Sequence, residues 1–241
     1  MIMRKLVIIP TYNECENVAR MIAKVLSLAE RFDMLFVDDG SPDGTAEIIE
    51  GERQLNSDRV FLIRRSGKLG LGTAYIEGFR WALAHDYDMI FEMDCDFSHN
   101  PDDLHRLAER LATDTDVVVG SRYVRGVNVV NWPLSRLLMS YFASRYVRTV
   151  TGMPVCDATA GFVGYRREVL QSIDLDKVQM VGYGFQIEMK YTAWRLGFRI
   201  GEESIIFIDR TAGESKMSSG IFGEAFFGVL KLPLRRITRR K

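Results

Sequence analysis

Met89-Ile90-Phe91-Glu92-Met93-Asp94-Cys95-Asp96 is an apolar run that closes on two carboxylates two residues apart. A short run of this kind reads as a buried strand, with the acids at its carboxyl end. Two carboxylates so placed can hold one hard divalent cation, and such a cation can clamp a diphosphate. Asp-x-Asp alone is common and more often marks a solvated turn, so the rest of the chain has to decide.

Outward from this run the same pattern recurs. Leu6–Ile9, Met34–Val37, Val60–Ile63 and Val117–Val119 read as short strands. Between them Val18, Ile22, Val25, Leu26 and Ala29 step at helical spacing. Thr45 is placed to cap a helix through Ile49, Ala74–Ala84 reads as helix, and Pro101 suits a first helical turn. Short apolar strands alternating with helices predict an α/β fold, a mainly parallel sheet with helices on both faces. Ligands of such sheets sit outside the carboxyl ends of the strands. Pro10 to Glu14, Asp38-Asp39-Gly40 and Asp94-Cys95-Asp96 all fall there, and their convergence outweighs any single motif. The second half is less regular. Trp132–Val150 and Phe185–Leu196 read as helices, Phe162–Tyr165 as a strand, and Ile200–Ile208 contains a strand.

With 241 residues the chain is one domain, or one domain and a short appendage. A formal net charge of zero points to no nucleic-acid partner. The three cysteines, Cys15, Cys95 and Cys156, match no zinc spacing and suggest reduced thiols in the cytosol. The N-terminal apolar run is too short for a signal-peptide core, and no stretch approaches the roughly 20 residues of a membrane span. Near the C-terminus Ile221, Phe222, Ala225, Phe226, Val229 and Leu230 form one helical stripe, which Pro233 ends. Lys231, Arg235, Arg236, Arg239, Arg240 and Lys241 follow without an acid. This is either an interfacial membrane helix or a terminal helix packed on the core.

The strand-end residues divide naturally around a nucleotide. Asp39 suits hydrogen bonds to a ribose or base, the Val37 backbone a base edge, and Tyr12 a stacking face, with Glu14 a further acceptor. Asp94 and Asp96 suit magnesium or manganese, and Ser98 adds a hydroxyl. Arg122, Arg210 and Lys216 are candidate phosphate partners, the last two in a Gly/Ser loop that can close on substrate. Each is also an ordinary salt-bridge partner when taken singly. Gly67 to Gly72 is either a phosphate loop or a close-packed helix entry. His99 can contact substrate and His105 sits on a helix surface. Paired histidines and a nucleophile elbow are both missing.

In order along the chain stand Pro10-Thr11-Tyr12-Asn13-Glu14, Val37-Asp38-Asp39-Gly40-Ser41-Pro42-Asp43-Gly44-Thr45, Asp94-Cys95-Asp96-Phe97-Ser98-His99 and Gly120-Ser121-Arg122-Tyr123. Further on come Asp157-Ala158-Thr159-Ala160-Gly161-Phe162, Phe185-Gln186-Ile187-Glu188, Asp209-Arg210 and Ser215-Lys216-Met217. Together these resemble glycosyltransferase family 2, and within it the dolichol- or polyprenol-phosphate mannose synthases. The resemblance implies a GT-A (Rossmann-like) fold over 1–217, and the apolar stripe with its basic run makes 218–241 the candidate membrane-association segment. It implies an inverting transfer of mannose from GDP-mannose to polyprenyl or dolichyl phosphate, with Mg2+ or Mn2+, at the cytoplasmic face of the membrane. By position, Pro10, Tyr12, Glu14, Val37 and Asp39 would hold the guanosine. Asp94, Cys95, Asp96 and Ser98 would meet donor and metal. Arg122, Arg210 and Lys216 would meet phosphates, and Arg136 and Ser140 the acceptor. Some members carry Gln where Ser98 stands. The alternatives are a UDP-sugar-dependent transferase of the same family and a non-catalytic nucleotide- or lipid-binding subunit. A dehydrogenase fits poorly, because Pro10-Thr11-Tyr12 stands where a glycine-rich dinucleotide turn belongs.

Overall fold

The computed structural model describes residues 3–180, 182–209 and 226–240. The apolar runs form β1 (Lys5–Thr11), β2 (Asp33–Asp38), β3 (Val60–Arg64), β4 (Met89–Glu92) and β5 (Val117–Ser121). Helices α1 (Val18–Leu26), α2 (Thr45–Leu55), α3 (Leu71–Ala84) and α4 (Leu104–Thr113) connect them. The second half adds β6 (Val129–Val130), α5 (Leu134–Thr151), β7 (Val163–Arg166), α6 (Arg167–Ser172), α7 (Gly182–Arg195), β8 (Ile200–Ser204), β9 (Phe207–Ile208) and α8, residues 226–231. Among the described residues no helix is long and apolar enough to cross a membrane.

The main sheet runs β3-β2-β1-β4-β7-β5-β8. All neighbours are parallel except β7, which lies antiparallel between β4 and β5. The predicted mainly parallel sheet is therefore present, with one reversed strand inside it. Strand order turns at β1 and β4, and that switch point is where an open α/β sheet leaves a crevice. Alternate side chains divide the core between the two faces. Ile8, Val37, Ile90 and Val119 meet α3 and α7, while Val7, Phe36, Phe91 and Val118 meet α1 and α4. On α1 the buried set Val18, Met21, Ile22 and Val25 is the stripe read from the sequence.

One expectation changes, and two pairs of alternatives narrow. Thr45 does not cap α2. The cap is Gly44 in the left-handed region, and Thr45 is the first helical residue. Its Oγ1 accepts from the Glu14 N–H at 2.9 Å, tying the β1 loop to α2. The Gly67 to Gly72 segment behaves as a tight helix entry: a Cβ on Gly72 would come within 2.9 Å of the Phe185 ring. The C-terminal segment is no detached tail. Val229 and Leu232 are buried in the core against α5 and α7, and the Arg240 N–H reaches the Ser172 carbonyl at 2.9 Å. Ile221, Phe222 and Ala225 lie outside the described residues.

Candidate active site

The carboxyl ends of β1, β2, β4 and β5 lie at one side of the sheet, and a cavity of about 490 Å³ opens beside the ends of β4 and β5; Pro10, Tyr12, Glu14, Val37, Asp39 and Cys95, also expected at the site, do not line it. Asp94, Asp96, Ser98, Arg122, Arg136 and Ser140, all expected at the site, line it. Its remaining wall is largely apolar, from Trp132 and Phe142 to Phe226. Arg210 and Lys216 lie outside the described residues.

At the β2 end the two aspartates have different work. Asp38 accepts from the Thr11 and Ser41 hydroxyls at 3.0 and 2.6 Å and so fixes the loop. Asp39 faces Arg65, whose Nη1 donates to its Oδ1 at 2.6 Å. Burial pushes the Asp39 carboxyl above its usual range, and the Arg65 charge partly offsets this. Gly40 makes the close fit possible. It holds φ +70, and a Cβ there would stand 3.2 Å from the Gly67 Cα. Arg65 was missed in the sequence, although it follows β3 directly, the same strand-end position that singled out Asp39. Tyr12 carries Lys68 Nζ 4.7 Å above its ring. Val37 is buried in the core, so only its backbone can meet a ligand.

At the β4 end the Ser98 N–H donates to Asp96 Oδ1 at 3.0 Å, across Phe97 at φ 60. This tight turn aims Asp96 and Ser98 at the cavity. Cys95 points away, into the core beneath α4, so any donor contact it makes comes from its backbone. His99 is buried, stacks on Phe162 at 5.0 Å, and takes the Asp94 N–H on Nδ1 at 3.3 Å. Burial pushes its pKa down to about 4, so at neutral pH it is an uncharged acceptor. His105 is exposed on α4, as its spacing suggested. The His99 shift has a sign that can be tested. Unfolded chain binds a proton near pH 6.5 that the folded chain refuses until about 4. Stability is therefore full above 6.5 and falls as pH drops from 6.5 toward 4. In chelator-treated protein, His99→Phe is expected to flatten that part of the urea-midpoint profile. Equal slopes in both proteins would refute the assignment.

Arg122 follows β5 and is buried. Its Nε and Nη2 donate to the two Asp157 oxygens, each at 2.6 Å, and its own N–H donates to Asp157 Oδ2 at 3.0 Å. Asp157 is fully buried. The rings of Tyr123, Trp132 and Phe207 surround the guanidinium at 5.3 to 5.5 Å. A phosphate would have to share Arg122 with this carboxylate, a partner the sequence did not reveal. Arg136 stacks on Trp132 at 4.2 Å and holds both Asp209 oxygens at 2.9 and 3.0 Å. Ser140 accepts from the Tyr123 hydroxyl at 2.8 Å. Below the acids Glu92 and Lys190 are both buried. Burial drives the Glu92 pKa up and the Lys190 pKa down, and each charge pulls the other back.

A switch-point crevice with acids on β2 and β4 and cations around one cavity defines a GT-A type glycosyltransferase fold. The chain belongs to glycosyl transferase family 2, whose model matches residues 6–174. It is 46% identical over 229 residues to an undecaprenyl-phosphate mannosyltransferase of Micrococcus luteus, covering 95% of this chain and 93% of that one. It is 44% identical over 232 residues to a polyprenol monophosphomannose synthase of Mycolicibacterium smegmatis, covering 96% and 88%. Among solved structures it shares its fold with glucosyl-3-phosphoglycerate synthase from Mycobacterium tuberculosis. The complex of that enzyme with Mn2+, UDP and glucosyl-3-phosphoglycerate superposes with TM-score 0.64 at 19% identity, over 96% of this chain and 79% of that one.

Proposed function

We propose that this chain transfers mannose from GDP-mannose to a polyprenyl monophosphate, inverting the anomeric centre. The names of two relatives at 44–46% identity support the sugar and the acceptor class. The observation that carries the reading is one cavity with two chemistries. It begins at Asp94 and Asp96 and runs on along Trp132, Phe142 and Phe226. An ionic head joined to a long apolar chain fits that sequence of surfaces.

A phosphomonoester has its second pKa near roughly 6, so the acceptor is already an anionic nucleophile at neutral pH. No strong base is needed. One acceptor oxygen bonds to the anomeric carbon as the bond from that carbon to the donor's β-phosphate oxygen breaks, and GDP leaves with the electron pair. An α-linked donor then gives a β-linked lipid phosphate. Asp39, braced by Arg65, and Tyr12 hold the nucleoside, with Pro10, Glu14 and the Val37 backbone beside them. Arg136 and Ser140 orient the acceptor phosphate, and Arg122, Arg210 and Lys216 offset the charge of two phosphates brought together.

The residues fit a divalent cation held by the Asp94 and Asp96 carboxylates and the Ser98 hydroxyl. The donors are all oxygens, and Ser98 Oγ is buried without a hydrogen-bond partner among the described residues. Those residues contain no group of three or more His, Cys, Asp or Glu that could hold a metal. Diphosphate and water would complete the shell, as is usual for magnesium. When bound, the cation supplies positive charge to the leaving diphosphate. The deciding assay offers radiolabelled GDP-mannose or UDP-sugars with polyprenyl phosphate and magnesium. Transfer from a UDP-sugar alone, or none at all, discards the reading.

The acceptor's chain stays in a bilayer, so the protein has to come to it. Leu134, Leu138 and Phe142 on α5 are exposed, as are Phe226, Phe227 and Leu230 on α8 and Leu234 just beyond. Tyr146 stacks on Phe226 at 4.8 Å and joins the two helices. Both helices therefore form the membrane-docking surface of this proposal, with exposed Lys231 and Arg236 adding attraction to anionic lipid. Removing α8 would open the core at Val229, so point changes are the cleaner test. Leu134→Ser with Phe227→Ser, both exposed and outside the cavity wall, is expected to release protein from anionic liposomes while leaving its melting temperature and its turnover of a short-chain acceptor near wild type. Undiminished liposome binding would discard the surface.

A further inference from the structure

Under the acidic pair lies a group of buried polar atoms that the fold satisfies only incompletely. Both Glu92 carboxylate oxygens, the Tyr75 and Tyr165 hydroxyls, and both amide atoms of Gln186 have no hydrogen-bond partner among the described residues. They come from four elements, β4, α3, β7 and α7, and they face one another. Gln186 and Tyr165 approach Glu92 as hydrogen-bonding groups, though outside the geometry of a regular bond, and Tyr75 feels the charges of Asp94 and Glu92. Native interiors leave few such atoms without partners, so a cluster of them calls for a ligand or ordered water.

Gln186 is the member of this cluster that also lines the cavity, beside Asp94 and Asp96. It is only 2% exposed. Its neighbours on α7 are accounted for. Lys190, one turn on, donates to the Ala160 carbonyl at 2.7 Å. Glu188 accepts from the Gln179 and Met180 N–H groups at 3.0 and 2.7 Å and pairs with Arg235. At 186 the amide does more than fill space: it approaches the buried Glu92 carboxyl as a hydrogen-bonding group and keeps further capacity beside the cavity. A primary amide gives two donors and an acceptor, the complement of hydroxyls that each donate and accept.

We propose that Gln186 reads a hydroxyl of the donor sugar in the part of the cavity beside Asp94 and Asp96, with buried Glu92 and Tyr165 backing it from beneath. This rests on the glycosyl-transfer reading above and extends it to sugar recognition. An apolar pocket barely distinguishes sugar epimers, whereas a site whose buried polar atoms need a hydroxyl in one place penalises its absence heavily.

The test uses the full chain with magnesium and compares wild type with Gln186→Met, which keeps the side-chain volume and removes the polar atoms. Calorimetry gives affinity for GDP and for GDP-mannose, and kinetics give kcat/KM for GDP-mannose and for its C2 epimer, GDP-glucose. GDP affinity is expected to stay within about twofold, since the nucleoside site is untouched. The kcat/KM for GDP-mannose is expected to fall by about 10²-fold, and the preference for mannose over glucose to shrink by about tenfold or more. A modest fall in melting temperature is expected as the approach to Glu92 is lost, and the epimer ratio rather than stability decides the proposal. Gln186→Asn, which withdraws the amide by one methylene, should lose the same preference, so the result does not hang on one variant. An unchanged epimer ratio in both variants overturns the proposal, whatever happens to stability. So does a fall in GDP affinity that matches the fall for GDP-mannose. If wild type transfers a different sugar, the mannose reading fails, and Gln186 is judged by the same ratio on epimers of that sugar. If it transfers none, the calorimetric difference between sugar nucleotide and nucleotide decides.

Discussion

Asp96→Asn is expected to lower mannosyl transfer by roughly 10³-fold at saturating magnesium, the scale seen when one preorganised electrostatic contact is lost. Asparagine keeps an oxygen to accept the Ser98 N–H, so the turn at Phe97 survives and the melting temperature should not move. What goes is the charge that would hold the cation against the diphosphate. Two readouts separate this from general damage. Half-saturation by magnesium should move upward, and GDP binding without metal should not change. Near-normal turnover of wild type after chelation would remove the metal role from both aspartates.

Asp157→Ala is expected to cost about 3–5 kcal/mol of folding stability, because it leaves a buried guanidinium without its counter-charge. Asp157 is fully buried, and Arg122 sits among three rings with little water to take over. That loss is a large share of the roughly 5–15 kcal/mol that usually holds a domain folded. Arg122→Met combined with Asp157→Leu removes both charges and should recover most of the stability, but not the turnover. Urea unfolding of the single and double variants measures the coupling. A cost below about 1 kcal/mol for Asp157→Ala would mean the pair behaves as a solvated surface bridge.

Much of the site was legible from short stretches. Asp38-Asp39-Gly40 and Asp94-Cys95-Asp96 stand at strand ends, and the apolar run that buries each strand could be read directly. What escaped was the partner of each charged group. Asp39 looked like a lone acceptor, yet Arg65 holds it from 26 residues away. Arg122 looked like a phosphate ligand, yet Asp157, 35 residues on, already occupies it. Arg136 meets Asp209 across 73 residues. Arg65 lay within reach of the strand-end rule, but nothing local marks Asp157 as the carboxylate that turns inward.

The C-terminal stripe shows the same division. Its helical spacing was plain, but spacing does not say which face is covered. Val229 is buried against α5 and α7, while Phe226 and Leu230 stay exposed. Arg235 and Arg239, read as part of a basic tail, reach Glu188 and the Leu196 carbonyl.

The sequence by itself determined the α/β class, the positions of β1 to β5, the acidic strand ends and the family. These depend on the period of the backbone and on turn chemistry, which act over a few neighbouring residues. The tertiary structure alone decided that β7 runs backward between β4 and β5, which carboxylate neutralises which arginine, and that the Gln186 amide is buried at the wall of the cavity. Those outcomes depend on which strands become neighbours. Burial then sets their energies, because a charge or amide removed from water is governed by the few groups packed around it rather than by its neighbours along the chain.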